Sequence, residues 1–173
     1  LSEARRRLPM LMSLASEAGV YVQLGVEARV ERTVSAVRDR GFVIERTYQE
    51  LDPEGEPTTA DSLAIGDTVL VTLDFRNDEE AGYVAIIDPL PAVLEAINPE
   101  FKSRNSVAGK NKVGWTSSYR ELRRDRALFF RNHLPVGNHR IRYLARVRAA
   151  GESVAGPTKI EKMYEPERYG LSA

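Results

Sequence analysis

Two histidines, an acidic triplet and a hydroxyl-rich stretch are the residues of this sequence whose types and spacing could do chemistry. His133 and His139 flank Leu134-Pro135-Val136-Gly137-Asn138, a turn signal, so a hairpin could bring them together. A metal site would still need a third ligand and partners that orient the rings. Two ordinary surface histidines account for them more simply. Asp78-Glu79-Glu80 gathers three carboxylates. Glycosidase chemistry needs two carboxylates facing each other across a cleft, one with its pKa raised by burial, whereas a polar turn offers them water. Trp115-Thr116-Ser117-Ser118-Tyr119 supplies hydroxyls without a partner base. No Gly-x-Ser-x-Gly elbow, phosphate-cradling glycine loop or dinucleotide fingerprint occurs. The chain has no cysteine, which removes disulfides, zinc–thiolate sites, iron–sulfur clusters and cysteine nucleophiles together. The expectation is a non-enzyme with no catalytic residue, no cofactor and no metal.

What must position these residues is a chain of 173 residues, enough for one domain plus a small appendage. Apolar residues make up 42% and charged residues 29%, a globular balance rather than a disordered one. No apolar run approaches the ~18–20 residues that span a bilayer. The net charge is zero but unevenly spread. Residues 45–99 carry 13 carboxylates against Arg46 and Arg76, and residues 100–148 carry 13 Lys/Arg against Glu100, Glu121 and Asp125. Such halves either pair within the domain or present two opposed faces to partners. The sequence opens at Leu1 without a signal-peptide pattern of its own, as expected of a piece of a longer protein.

Residues 1–18 combine Arg5, Arg6 and Arg7 with Leu8, Met10, Leu11, Met12 and Leu14. They are expected to be a short helical or linker segment left from a preceding domain. A basic amphipathic membrane-surface helix is the sharper alternative, but the stretch lacks an aromatic anchor, and no membrane contact is expected. From Gly19 the period becomes two. Strands are predicted at 20–24, 42–48, 67–75, 83–87, 127–131, 139–149 and 158–163. In 67–75, Val69, Val71, Leu73 and Phe75 share one face; in 139–149, Ile141, Tyr143, Ala145 and Val147 do so. Residues 52–62 and 100–118 read as loops, and 92–97 as one helical turn after Asp88-Pro89-Leu90-Pro91 has stopped a strand. Seven or eight short strands without a sustained helix predict an antiparallel immunoglobulin-like β-sandwich over residues 19–173.

The opposite face of 139–149 carries Arg140, Arg142, Arg146 and Arg148. Phosphate binding favours such a stripe, but the neutral chain and the lack of interleaved aromatics argue against nucleic acid. Pairing to the acidic half, or to a neighbouring domain, explains the same arginines.

A more specific signal lies in six blocks. They are Gly66-Asp67-Thr68-Val69, Asp88-Pro89-Leu90-Pro91-Ala92, Tyr119-Arg120-Glu121-Leu122-Arg123-Arg124-Asp125-Arg126, Leu134-Pro135-Val136-Gly137, the run from Tyr143 to Gly151, and Met163-Tyr164-Glu165-Pro166. In this order they resemble the C-terminal domain of bacterial α2-macroglobulins, across about residues 42–169. The resemblance implies a macroglobulin-type β-sandwich, the last of a string of similar modules, in a broad-spectrum protease trap outside the cytoplasm, in the periplasm or cell envelope. In such traps a protease cuts a bait segment and, where a Cys–Gln thioester is present, is coupled to it. Partners would be the thioester domain and neighbouring macroglobulin domains of the parent chain, and target proteases through the whole parent. The family's Met-Tyr pair, here Met163 and Tyr164, would contact the thioester domain and keep water from the thioester. A thioether and an aromatic ring suit that task. The plainer alternative is that Met163 and Tyr164 simply close the sandwich core. The competing reading is a generic immunoglobulin-like adhesion or cell-envelope module binding through loops such as 100–118.

Overall fold

The structure, a computed structural model, describes residues 37–58, 62–97 and 118–173. All of them fall in the unit Arg32–Ala173. The 1–18 segment, the boundary at residue 19 and the strand predicted at 20–24 lie outside the described residues, as does nearly all of loop 100–118.

Eleven strands follow in chain order among the described residues: β1 (Arg38–Arg40), β2 (Phe42–Leu51), β3 (Pro57–Thr58), β4 (Thr68–Asn77), β5 (Ala81–Pro89), β6 (Leu94–Ala96), β7 (Tyr119–Leu122), β8 (Arg126–Leu134), β9 (Gly137–Val147), β10 (Lys159–Lys162) and β11 (Glu165–Leu171). They build two antiparallel sheets, ordered β1-β11-β10-β5-β8-β7 and β3-β2-β4-β9-β6. No helix occurs among the described residues.

The alternation read in the sequence sets the core. Val69, Val71, Leu73 and Phe75 of β4, with Ile141, Tyr143, Ala145 and Val147 of β9, are buried. They face Val84 and Ile86 of β5, Phe129 of β8 and Ile160 of β10 in one apolar cluster. Full burial of each large side chain stabilises the fold by about 1.5–3 kcal/mol relative to exposure. As the strand between β2 and β9, β4 also buries Leu70 and Thr72 on its other face. At one point the packing is set by backbone. A Cβ on Gly170 of β11 would stand 2.3 Å from the carbonyl oxygen of Phe42, so only glycine fits.

Two expectations about elements are corrected, and three strands are added to those predicted. Residues 92–97 are not a helical turn. A turn closed by Leu94 N–H on the Pro91 carbonyl (2.9 Å) leads into β6, which pairs Leu94 with Val147 and Ala96 with Ala145. The free edge of β9 and a core site for Leu94 outweigh the local helical preference of Ala92-Val93-Leu94-Glu95-Ala96-Ile97. Part of loop 52–62 pairs with β2 as β3. β1 and β7 were not anticipated, and neither was β11, whose Glu165, Glu167 and Arg168 hide its strand character. Each of these additions is short or charged, and is held by ladder bonds to an adjoining strand rather than by an alternating pattern of its own.

Candidate functional site

The sandwich brings polar side chains together in one buried place. Asp88, at the end of β5, is fully buried between the sheets. Its carboxylate accepts hydrogen bonds from Arg46 Nη1 (2.6 Å), the Tyr143 hydroxyl (2.5 Å) and the Thr158 hydroxyl (2.8 Å). Arg46 and Tyr143 belong to the five-stranded sheet, so Asp88 ties the two sheets together. Arg46 also reaches the Pro89 carbonyl (3.3 Å) and lies over the Tyr48 ring (5.2 Å to its centroid). Burial, and then the negative charge of Asp88, hold the Tyr143 hydroxyl well above the usual tyrosine range. Burial likewise raises Tyr48, although the neighbouring Arg46 charge opposes it. The Arg46, Tyr143 and Thr158 donors converge on this one carboxylate, whereas the buried Tyr48 hydroxyl has no hydrogen-bond partner among the described residues. This is an inter-sheet clasp in which a buried charge is satisfied on all sides.

The residues singled out for chemistry are dispersed. His139 is stacked on Phe75 (centroids 5.2 Å apart), and its Nε2 lies 3.0 Å from Asn77 Oδ1 and 2.9 Å from the Pro135 carbonyl. Two acceptors at one nitrogen assign that nitrogen the proton. His133 instead lies beside Glu80 (3.2 Å). Asp78, Glu79 and Glu80 form the exposed β4–β5 turn and point to different partners, Arg76, Arg168 and His133. Among the described residues, no three His, Cys, Asp or Glu side chains converge. Ser118 accepts the Asn132 backbone N–H (3.1 Å).

The acidic and basic halves meet inside the domain. Arg140 grips Asp74 through two nitrogens (2.6 and 3.1 Å), the two residues lying directly opposite on β9 and β4. Arg124 pairs with Glu95 (3.4 Å), and Arg148 caps the Ala92 carbonyl (2.9 Å). The arginine face is therefore partly neutralised by carboxylates of the same domain.

Met163 and Tyr164 make up the two-residue link between β10 and β11. Lys162 and Glu165 flank it as paired residues joined by a salt bridge (3.2 Å). Next to it the register of the two strands shifts, where Pro166 has no N–H to give the ladder. The link juts from the end of the sheet: Met163 is 49% and Tyr164 77% exposed, so the pair does not close the core. It is nevertheless held in place. The Met163 N–H donates to the Tyr83 carbonyl (2.8 Å), and the Tyr83 and Tyr164 rings meet edge to face at 5.3 Å and 81°. Tyr83 is itself 52% exposed. It was read only as the first residue of an apolar strand, because nothing local in the sequence signals a contact across to β10. The three side chains form an exposed apolar projection on a rigid support.

Fold and site together define a two-sheet macroglobulin-type sandwich that displays an apolar turn, with the Asp88 carboxylate and its three donors holding the sheets together. Comparison with known proteins agrees. Residues 41–167 match a family model for the bacterial alpha-2-macroglobulin MG10 domain. The chain belongs to that family. A curated relative, an alpha-2-macroglobulin homolog of Nostoc sp., is 27% identical over 145 residues, which cover 84% of this chain and 7% of the relative. Salmonella alpha-2-macroglobulin reacted with methylamine superimposes with a TM-score of 0.66 at 28% identity, over 82% of this chain and 9% of that one. Escherichia coli alpha-2-macroglobulin activated by porcine elastase gives 0.67 at 25% identity, over 82% of this chain and 13% of that one. The chain thus spans a small fraction of the length of the relatives it matches.

Proposed function

We propose that this chain is a non-enzymatic module of a bacterial α2-macroglobulin-type protease trap working outside the cytoplasm, and that Met163 and Tyr164 lie against a thioester domain of the same parent. The observation that carries this reading is the exposed, pinned Met163–Tyr164 link. An isolated globular domain has little use for a thioether and an aromatic ring held out at the end of two strands, whereas a water-sensitive bond in a neighbouring domain would be served by both. Family membership supports the trap, as do the names of the relatives, one activated by porcine elastase and one reacted with methylamine. The module's role is to brace and cover; the coupling chemistry would belong to the neighbour.

The test uses the full-length parent. Protease is added, and a large protein substrate and a small peptide substrate are then offered in parallel. A trap loses cleavage of the large substrate and keeps cleavage of the peptide. Equal cleavage of both by several protease classes refutes the reading. In a thioester-bearing parent, replacing Met163 and Tyr164 together by Ala should shorten the thioester's half-life against methylamine. An unchanged half-life removes the shielding role and leaves the brace.

A further inference from the structure

We infer that Tyr83 is the positioning residue of this projection: it holds the Tyr164 ring in the orientation presented to a partner. As a statement about how that site is presented, this rests on the reading above. Three features meet at Tyr83. Its ring is the edge-to-face neighbour of Tyr164 (5.3 Å), which places the ring-edge hydrogens of one against the electron-rich face of the other. Its carbonyl accepts the Met163 N–H (2.8 Å), which continues the β5–β10 ladder one rung beyond Lys162↔Val84. Its backbone has φ +51°, the only positive value at a non-glycine position among the described residues.

That third feature points beyond packing. A bulky side chain at positive φ is disfavoured, because Cβ crowds the backbone, and it persists only where the surroundings over-determine it. Glycine would meet the backbone requirement without strain, and Gly82 stands next door. Tyr83 also skips a rung on its other side. β5 pairs Gly82 with His133 and Val84 with Arg131, and Tyr83 has no assigned partner on β8. The strand therefore departs from regular geometry at the residue that carries the ring on which Tyr164 rests. Tyr164 is 77% exposed, and among the described residues the Tyr83 ring is the one aromatic ring against it.

The experiment separates this inference from the shielding reading by using two readouts. Tyr83→Gly relieves the backbone and deletes the ring, while Tyr83→Phe keeps the ring. On the 173-residue chain with labelled tyrosine and methionine, NMR reports the Tyr164 ring and Met163 methyl shifts directly. The expected result is that Tyr83→Gly moves these resonances toward random-coil values and Tyr83→Phe leaves them in place. Tyr164 shifts unchanged in Tyr83→Gly overturn the inference. On a thioester-bearing parent, Tyr83→Gly should then shorten the half-life against methylamine by roughly 2- to 12-fold, the size expected for loss of one aromatic pair. If Tyr164→Ala shortens the half-life and Tyr83→Gly does not, positioning by Tyr83 has no functional weight and the inference fails. If the NMR shifts move and neither variant alters the half-life, Tyr83 stands as the positioning residue and the shielding reading is what fails.

Discussion

The Asp88 clasp and the β10–β11 link are opposites in this domain. The clasp has the residues that usually suggest chemistry: a carboxylate, a guanidinium, a phenol and a hydroxyl within hydrogen-bond reach. Yet it is sealed between the sheets, and its one acceptor is saturated. The link has a thioether and a phenol ring with no acid–base partner, and it faces outward on a pinned backbone. On the function proposed above, chemical type alone would choose the wrong region. Exposure and the cost of leaving a group as it stands separate the two. A buried carboxylate must be satisfied or the fold pays, whereas an exposed apolar turn costs this domain little and is free to serve the contact proposed for it.

The largest expected effect comes from breaking the clasp. Asp88→Ala leaves the Arg46 guanidinium, whose side chain is 4% exposed, without its carboxylate and strands two hydroxyl donors. A loss of about 3–5 kcal/mol is expected in urea unfolding of the chain, as for other buried pairs broken on one side. The double replacement Arg46→Met with Asp88→Leu should cost less than Asp88→Ala alone, because no charge is then left buried. A double variant less stable than the single one would mean that the pair is worth more than its desolvation.

The next effect is in alkaline stability. Tyr143 and Tyr48 are both raised in the folded state, by burial first. The unfolded chain releases these protons near pH 10 while the folded chain keeps them. Their contribution is therefore complete below about pH 10 and is lost as pH rises from there toward the folded values. Melting temperature followed from pH 8 to 12 should fall steeply above pH 10, and less steeply in Tyr143→Phe, which has no phenol proton to lose. Parallel curves for the two proteins would place the alkaline loss elsewhere. At neutral pH the same variant should be less stable by about 1.5–3 kcal/mol, for one hydrogen bond to a charged acceptor.

The smallest effect sharpens the contrast. Met163→Ala with Tyr164→Ala should change the chain's own unfolding free energy by no more than about 0.5 kcal/mol, as for surface positions away from the core. A loss above ~2 kcal/mol would make the link part of this domain's core stability and weaken its reading as an interface.

Much of the sandwich was legible in the sequence because its longest strands are half-buried, so the pleat writes itself as alternation. Val69 to Phe75 and Ile141 to Val147 show it. β1, β3, β6, β7 and β11 were not legible. They are short or charged, and their existence depends on hydrogen bonds offered by a neighbour rather than on their own side chains. Met163 and Tyr164 came from a family likeness, since a Met-Tyr pair has no periodic or spacing signal. Tyr83 was missed because it lies 81 residues from Tyr164 and meets it only across β5 and β10. Asp88 read as a strand stop next to Pro89; that it draws Arg46, Tyr143 and Thr158 together is a fact of sheet stacking.

By itself, then, the sequence determined an all-β sandwich with alternating core faces, the absence of cysteine chemistry, and two halves of opposite charge. Those properties depend on residue type and local spacing, which a chain carries before it folds. The tertiary structure alone decided that the halves meet at Asp74–Arg140 and Glu95–Arg124, that Asp88 is a clasp, and that the Met163–Tyr164 link is held outward on Tyr83. Each of these joins residues distant along the chain. Such contacts form only once burial of the shared core has brought the strands into register.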